Sequence, residues 1–219
     1  MSAKADMLHY ETQARNKGLR FILGVDEAGR GPLAGPVVAA AVCLRRFDFK
    51  NPINDSKKMS AKAREAAFYE IFEKAYVGIG MVGANAIDAV NILNASHLAM
   101  EMAIKALIHR MPRGMVASKA FRRQVVLLID GNIFRTQLPY QYRAIIGGDG
   151  KSLSIACASI VAKVYRDRIL CVYDKIFPQY GFAKHKGYPT KDHRLAIKKH
   201  GTSIIHRKTF HGNQESIER

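Results

Sequence analysis

Acidic residues are scarce in this chain. Its 219 residues include 18 Asp and Glu against 35 Lys and Arg, a formal net charge of +17. So one-sided a balance argues for a polyanionic partner, nucleic acid ahead of an anionic membrane surface. Cysteine is scarce too. Cys43, Cys157 and Cys171 share no close spacing, which leaves no C-x-x-C motif and no disulfide framework. Each lies in an apolar run, so buried free thiols and a reducing cytoplasm are expected. No stretch of about 18 apolar residues occurs, so no membrane span is expected. Met1 to Lys17 lack the apolar core of a signal peptide. Gly29-Arg30-Gly31 is followed by no G-K-[ST], which excludes a Walker loop.

Apolar residues make up 48% of the chain, enough for a folded core. Residues 1–18 read as a lead-in with a short helix, 19–175 as the main α/β body, and 176–219 as a basic helical extension of the same unit. Strands are expected at Phe21–Asp26, Val37–Leu44, Tyr76–Val82, Val125–Ile129 and Tyr142–Ile146, the first two joined as a hairpin. Helices are expected from Ala61 to Lys74 behind a Ser60 cap, from Asn94 to Met111, from about 152 to 174, and after Thr190 to His200. Leu98, Met102 and Leu107 suggest the buried face of the second helix. Ile155, Ala158, Ala162, Tyr165, Ile169 and Val172 suggest that of the third. The pattern predicts an α/β sandwich on a mixed sheet.

The few acids are oddly placed. Glu65, Glu70, Glu73 and Glu101 suit solvated helix faces. Asp26 and Glu27 instead close one apolar strand, Asp130 closes another, and Asp149 follows a Gly-Gly pair after a third. Between residues 102 and 166 there are 11 Lys and Arg, with Asp130 and Asp149 the only acids. Phosphodiester hydrolysis explains such a pattern. Two hard cations about 3.5–4 Å apart activate water and stabilise the leaving oxygen, and such cations take carboxylate oxygens. Taken singly, each acid is also an ordinary turn residue. Neighbours on a regular strand face opposite ways, so Asp26 and Glu27 share a site only if the strand bulges or ends there.

Gly29-Arg30-Gly31 offers backbone close to a ligand, where main-chain groups read ribose hydroxyls and Arg30 holds a phosphate. A plain glycine turn is the alternative. From Lys184 to His211 there are eight Lys or Arg, five histidines and one acid, with Tyr188 among the cations. A ring so flanked suits stacking on a base or sugar, or else packs on the core under a solvated helix. The histidines lack zinc-finger spacing.

These residues also resemble a known family. Gly24-Val25-Asp26-Glu27-Ala28-Gly29-Arg30-Gly31-Pro32-Leu33-Ala34-Gly35-Pro36 is similar to the opening signature of ribonuclease HII. Asp55-Ser56-Lys57-Lys58-Met59-Ser60, Asp130-Gly131-Asn132, Gly148-Asp149, Ser159-Ile160-Val161-Ala162-Lys163 and His185-Lys186-Gly187-Tyr188-Pro189-Thr190 resemble its later blocks, in order. The resemblance implies an RNase H-like mixed sheet flanked by helices, with a helical C-terminal extension. It implies Asp26, Glu27, Asp130 and Asp149 as catalytic metal ligands for Mn2+ or Mg2+. It implies Gly29, Arg30, Gly31 and Tyr188 at the ribonucleotide, with Lys57 and Lys163 near the phosphates. The expected partners are RNA–DNA hybrids and duplex DNA containing ribonucleotides. A monomer without an obligate protein partner is expected. Only about 20 residues precede the first strand, which favours HII over the related HIII. A non-catalytic nucleic-acid binder, or another metal nuclease on the same fold, remains open at this stage.

Overall fold

The computed structural model describes residues 6–118 and 120–210. The elements run α1 (His9–Asn16), β1 (Phe21–Ala28), β2 (Val37–Leu44), α2 (Ala61–Lys74), β3 (Ala75–Val82), α3 (Ala84–Val90), α4 (Ile92–Arg110), α5 (Arg113–Val116), α6 (Phe121–Gln124), β4 (Val125–Asp130), β5 (Gln141–Ile145), α7 (Leu153–Ile176), α8 (Phe182–His185) and α9 (Lys191–His200). The strands form one sheet in the order β3-β2-β1-β4-β5. β1, β2 and β3 are antiparallel neighbours. β4 and β5 run parallel to β1. This mixed sheet with helices on both faces is the expected α/β sandwich.

Local chemistry sets the helix starts. Ser60 accepts from the Ala63 N–H at 3.2 Å and Thr190 from that of His193 at 3.3 Å, so both expected caps are present. Ser152 caps α7. The buried Glu11 of α1 adds a carboxylate there, accepting from Ser154 N at 2.9 Å and from the hydroxyls of Ser152 and Ser154. A negative charge at a helix N-terminus is favourable, and it ties α1 to the helix that follows Asp149.

Glycine lets both flanking helices sit hard against the sheet. On one face, a Cβ at Gly78 would lie 2.1 Å from the Ala103 carbonyl oxygen of α4, and one at Gly80 2.1 Å from that of Ala99. On the other, a Cβ at Gly24 would lie 2.1 Å from the Ser154 carbonyl carbon of α7. Two cores result. Leu23, Val25, Leu127 and Ile129 meet α4, while Ala40, Val42 and Phe68 meet Cys157 and Val161.

Several expectations fail in detail. Leu98 and Met102 are exposed, and the buried face of α4 is Ala95, Ala99, Ala103 and Leu107. Small residues are what the glycine-bearing strand admits. α7 has no single apolar stripe. Its first half is buried almost all round, and Tyr165 and Val172 face solvent. Cys43 and Cys157 are buried thiols, but Cys171 is exposed. Glu70 is buried, accepting from the Lys50 and Asn51 amides at 2.7 and 2.9 Å. Among the described residues no helix is long and apolar enough to cross a membrane.

Candidate active site

Register explains how distant acids meet. The β1–β4 ladder pairs Val25 with Ile129, so the next residue on each parallel strand is an aspartate. Leu23, Val25, Leu127 and Ile129 turn towards α4, so alternation turns Asp26 and Asp130 together towards α7. Asp149 arrives from the one-turn segment Gly148–Gly150 ahead of α7. One carboxylate oxygen from each of the three lies within 4.8 Å of the other two.

Backbone donors fix these carboxylates. Gly148 N–H donates to Asp130 Oδ1 at 2.6 Å, and Glu27 N–H donates to Asp26 Oδ1 at 2.7 Å. The nearby Ser159 side chain acts to lower the Asp26 pKa. Ser159 Oγ lies 2.9 Å from Ser56 Oγ, which anchors the 55–60 loop beside the acids.

The strand does not bulge at Glu27. Pairing with β2 runs unbroken from Leu23 to Ala28. Glu27 is not one of the three acids whose oxygens lie within 4.8 Å, but it lines the same cleft as Asp26. Its carboxylate meets Arg30 Nη1 at 3.4 Å. Burial still pushes its pKa up, opposed by Arg30 and assisted by the charge of Asp130.

The cluster is self-repelling as it stands. Burial, then the charges of Glu27 and Asp130, hold the Asp26 carboxyl well above its ordinary range. Burial, then Asp130 and Asp55, push Asp149 up against the pull of Lys57. Three hard oxygens this close, with Asp26 and Asp149 penalised for ionising, are the donor set a divalent cation takes. The residues fit the group.

Lys57 stands over this cluster, its ammonium 3.7 Å from Asp149 Oδ2. Burial works against its charge, but Asp149, Asp26, Asp55 and Asp130 together raise its pKa. Asp55, not among the acids expected at the site, caps the short turn carrying Lys57 by accepting from the Lys57 N–H at 2.9 Å.

A cleft of about 220 Å³ opens beside Asp26 and Glu27, walled by Gly29, Arg30, Gly31, Lys57, Lys163 and Tyr188. Every residue proposed from the sequence for substrate contact thus shares one opening. The Lys163 ammonium is held 2.8 Å from Asp167. A Cβ at Gly31 would lie 3.8 Å from Tyr188 Cε1, so the glycine loop and the tyrosine ring are neighbours. A larger, mostly apolar pocket of about 630 Å³ lies between the end of α4 and Leu138–Tyr140. It adjoins the opposite end of β4 from Asp130 and has no acid in its lining.

Two arginines face inward, Arg207 from the basic stretch expected to hold phosphates and Arg166 from α7. Arg207 is fully buried, donating to the carbonyls of Gly29 and Gly35 and, at 2.9 Å, of Arg30. Buried Arg166 donates to the carbonyls of Ala34, Pro36 and Lys186 at 3.0–3.1 Å. Gly29 has φ +102°, and a Cβ there would lie 2.1 Å from Arg166 Nε. The guanidinium forks hold the loop by its carbonyls. A run of basic residues gives no hint of which ones turn inward. Likewise His185, His193 and His206 form a buried stack, while His211 lies outside the described residues.

Comparison with known proteins agrees with this geometry. The family model for ribonuclease HII matches residues 23–212. Ribonuclease HII of Magnetococcus marinus is 48% identical over 195 residues, covering 89% of this chain and 86% of that protein. That of Syntrophotalea carbinolica is 46% identical, covering 96% and 94%. The crystal structure of ribonuclease H2 from Pyrococcus horikoshii OT3 superposes with a TM-score of 0.68 at 23% identity, over 91% of this chain and 98% of that one, which shows the RNase H-like fold. With a family model spanning nearly the whole chain and relatives approaching half identity, the chain belongs to the ribonuclease HII family, metal-dependent endoribonucleases that cut the RNA of RNA–DNA hybrids.

Proposed function

We propose that this ribonuclease also cuts 5′ to a single ribonucleotide embedded in duplex DNA, leaving 3′-hydroxyl and 5′-phosphate ends. The observation that carries the reading is the convergence of Asp26, Asp130 and Asp149 within 4.8 Å, beside a cleft lined by a glycine loop and an exposed tyrosine. Asp26, Asp130 and Asp149 would hold a divalent cation, Mg2+ or Mn2+, with Glu27, which lines the same cleft as Asp26, as the fourth acid. Bound cations supply the activated water and neutralise charge on the leaving oxygen.

The chain's own residues do the rest. Gly29 and Gly31 keep side chains away from the wall, so backbone groups approach a ribose 2′-hydroxyl. The Tyr188 ring, 44% exposed, stacks on the sugar or base at the RNA–DNA junction. Arg30, Lys57 and Lys163 face the phosphates, and the net charge of +17 draws the duplex in. One chain supplies every residue named, so the reading needs no partner subunit. Free thiols at Cys43, Cys157 and Cys171 suit a reducing cytoplasm.

The test is a labelled duplex carrying one ribonucleotide, incubated with Mg2+ or Mn2+ and again with EDTA. A single metal-dependent cut 5′ to the ribonucleotide is expected, with an all-DNA duplex intact. Cutting of the all-DNA duplex, or cleavage that survives EDTA, overturns the proposal.

A further inference from the structure

Tyr188 presents a half-exposed ring on an unusually constrained backbone. Lys186, a non-glycine residue, has φ +53°, and Gly187 follows at φ +81°. Two successive left-handed residues persist only where surroundings over-determine them. Some of those surroundings are plain. Arg166 holds the Lys186 carbonyl at 3.0 Å, and Gly187 O accepts from Leu33 N at 2.8 Å. The rest is a chain of imidazoles.

The proton positions in that chain follow from its partners. Ser203 N–H donates to His206 Nδ1 at 2.9 Å. That nitrogen is an acceptor, so the His206 proton sits on Nε2. His206 Nε2 faces His193 Nε2 at 3.1 Å. With the proton on His206, the His193 nitrogen accepts, and the His193 proton sits on Nδ1. There it donates to the Tyr188 carbonyl at 2.9 Å. His185 fits the same scheme. Its Nε2–H donates to the Tyr180 carbonyl at 2.7 Å, and its Nδ1 accepts from Gly187 N–H at 3.2 Å. One assignment of neutral tautomers satisfies all six ring nitrogens. Protonating His193 would set two N–H groups head to head at 3.1 Å, and protonating His206 would set its Nδ1–H against the Ser203 N–H at 2.9 Å. Both rings are fully buried, and burial holds each down to about 4, so the neutral scheme persists at physiological pH.

We infer that His193 and His206 are positioning residues for Tyr188, a tautomer relay that presets its ring against the Gly31 wall. The inference rests on the reading of Tyr188 as a substrate contact. The relay touches neither the carboxylates nor the cleft, so it governs how tightly the ribonucleotide is gripped and leaves hydrolysis itself alone. Pre-set geometry of this kind raises affinity by removing ordering cost.

Paired substitutions in the full-length chain test this on the single-ribonucleotide duplex. His206→Asn keeps an acceptor for Ser203 but removes the donor to His193, whereas His206→Gln places an amide nitrogen where Nε2 was. KM is expected to rise about tenfold in His206→Asn with kcat within about twofold, and to return towards wild type in His206→Gln. In His206→Asn/Tyr188→Ala, KM is expected to be no higher than in Tyr188→Ala alone, because the relay acts through that residue. Should His206→Asn fail to fold by circular dichroism, His193→Gln (donor to Tyr188 lost) and His193→Asn (donor kept) form the equivalent pair. Additive effects of the two changes, or a normal KM in the donor-less variants while Tyr188→Ala raises it, overturn the relay. A normal KM in Tyr188→Ala removes the substrate-contact reading and the relay with it, a result distinct from the other two.

Discussion

Asp26 and Asp130 stand side by side because the β1–β4 ladder pairs Val25 with Ile129 and each strand places its aspartate one residue further on. Acids 104 positions apart in sequence thus share a face with Asp149, with oxygens within 4.8 Å. Burial and mutual repulsion raise the pKa of Asp26. A carboxyl whose folded pKa is raised costs stability as pH climbs from its unfolded value, near 4, through the folded one. At neutral pH without metal the cluster is therefore a stability cost. Asp26→Asn and Asp130→Asn are expected to lose at least about a thousandfold in cleavage and to melt no lower than wild type in EDTA. Added Mn2+ should raise the wild-type Tm and raise that of either variant less. Thermal unfolding with and without Mn2+, beside a cleavage assay, checks both halves. An active Asp130→Asn enzyme would remove the metal-site reading.

Gly24 decides whether α7 can seat. Its missing side chain leaves room for the Ser154 carbonyl carbon and the Ile155 nitrogen, which would lie 2.1 and 2.3 Å from an added Cβ. Both are backbone atoms at the start of the helix, so no side chain can rotate away. Gly24→Ala is expected to cost about 3 kcal/mol or more, and to weaken cleavage by displacing Asp149. Urea unfolding gives the first quantity. A loss under about 1 kcal/mol would mean the helix re-docks without strain.

Much of this frame is legible from residue pattern, and the exceptions share a cause. The apolar runs at Val37–Leu44 and Val125–Ile129 announced strands, and Ser60 and Thr190 announced caps, because such signals act over a few residues. The buried face of α4 was misjudged by weighting size. Leu98 and Met102 looked like core, but both are exposed, and Gly78 and Gly80 bring the strand against the backbone of Ala99 and Ala103. Glu27 illustrates the same limit. Its neighbour Asp26 joins Asp130 and Asp149, while Glu27 pairs with Arg30 in the same cleft, a difference that spacing alone does not announce. Which members of a basic stretch turn inward is decided by carbonyls elsewhere, as Arg207 and the loop at Gly29–Gly35 show. Asp55, a turn former by spacing alone, joins the site only once Asp149 folds against it.

The buried histidines predict an acid sensitivity with a definite sign. His193 and His206 titrate near 4 in the folded chain, with burial the main cause and neighbouring imidazoles, His185 among them, adding to it. An unfolded histidine titrates near 6.5. Between those values the unfolded chain binds more protons, so stability falls as pH drops through that window. A Tm lower by about 5 °C at pH 5 than at pH 7 is expected for a chain of this size. The NMR signals of these two rings should stay in their neutral positions down to pH 5. Ring signals that titrate near 6.5 would show the imidazoles to be solvated.

Arg207 gives the sharpest test of how the glycine loop is held. Its guanidinium spans the carbonyls of Gly29, Arg30 and Gly35 and stacks over Phe210 at 4.9 Å. Charge alone does not account for that reach. A planar fork presents five donors in fixed directions, whereas an ammonium is a single point with three. Arg207→Lys keeps the charge but is too compact to bridge all three acceptors, and it leaves at least one buried carbonyl unpaired. The expected loss is about 3 kcal/mol, or about 6–12 °C in Tm. Because the carboxylates sit on other elements, kcat at saturating duplex should change little while KM rises several-fold. A lysine variant with wild-type Tm and KM would mean that the loop holds its shape from its own glycines, and the clamp would then have no part in recognition.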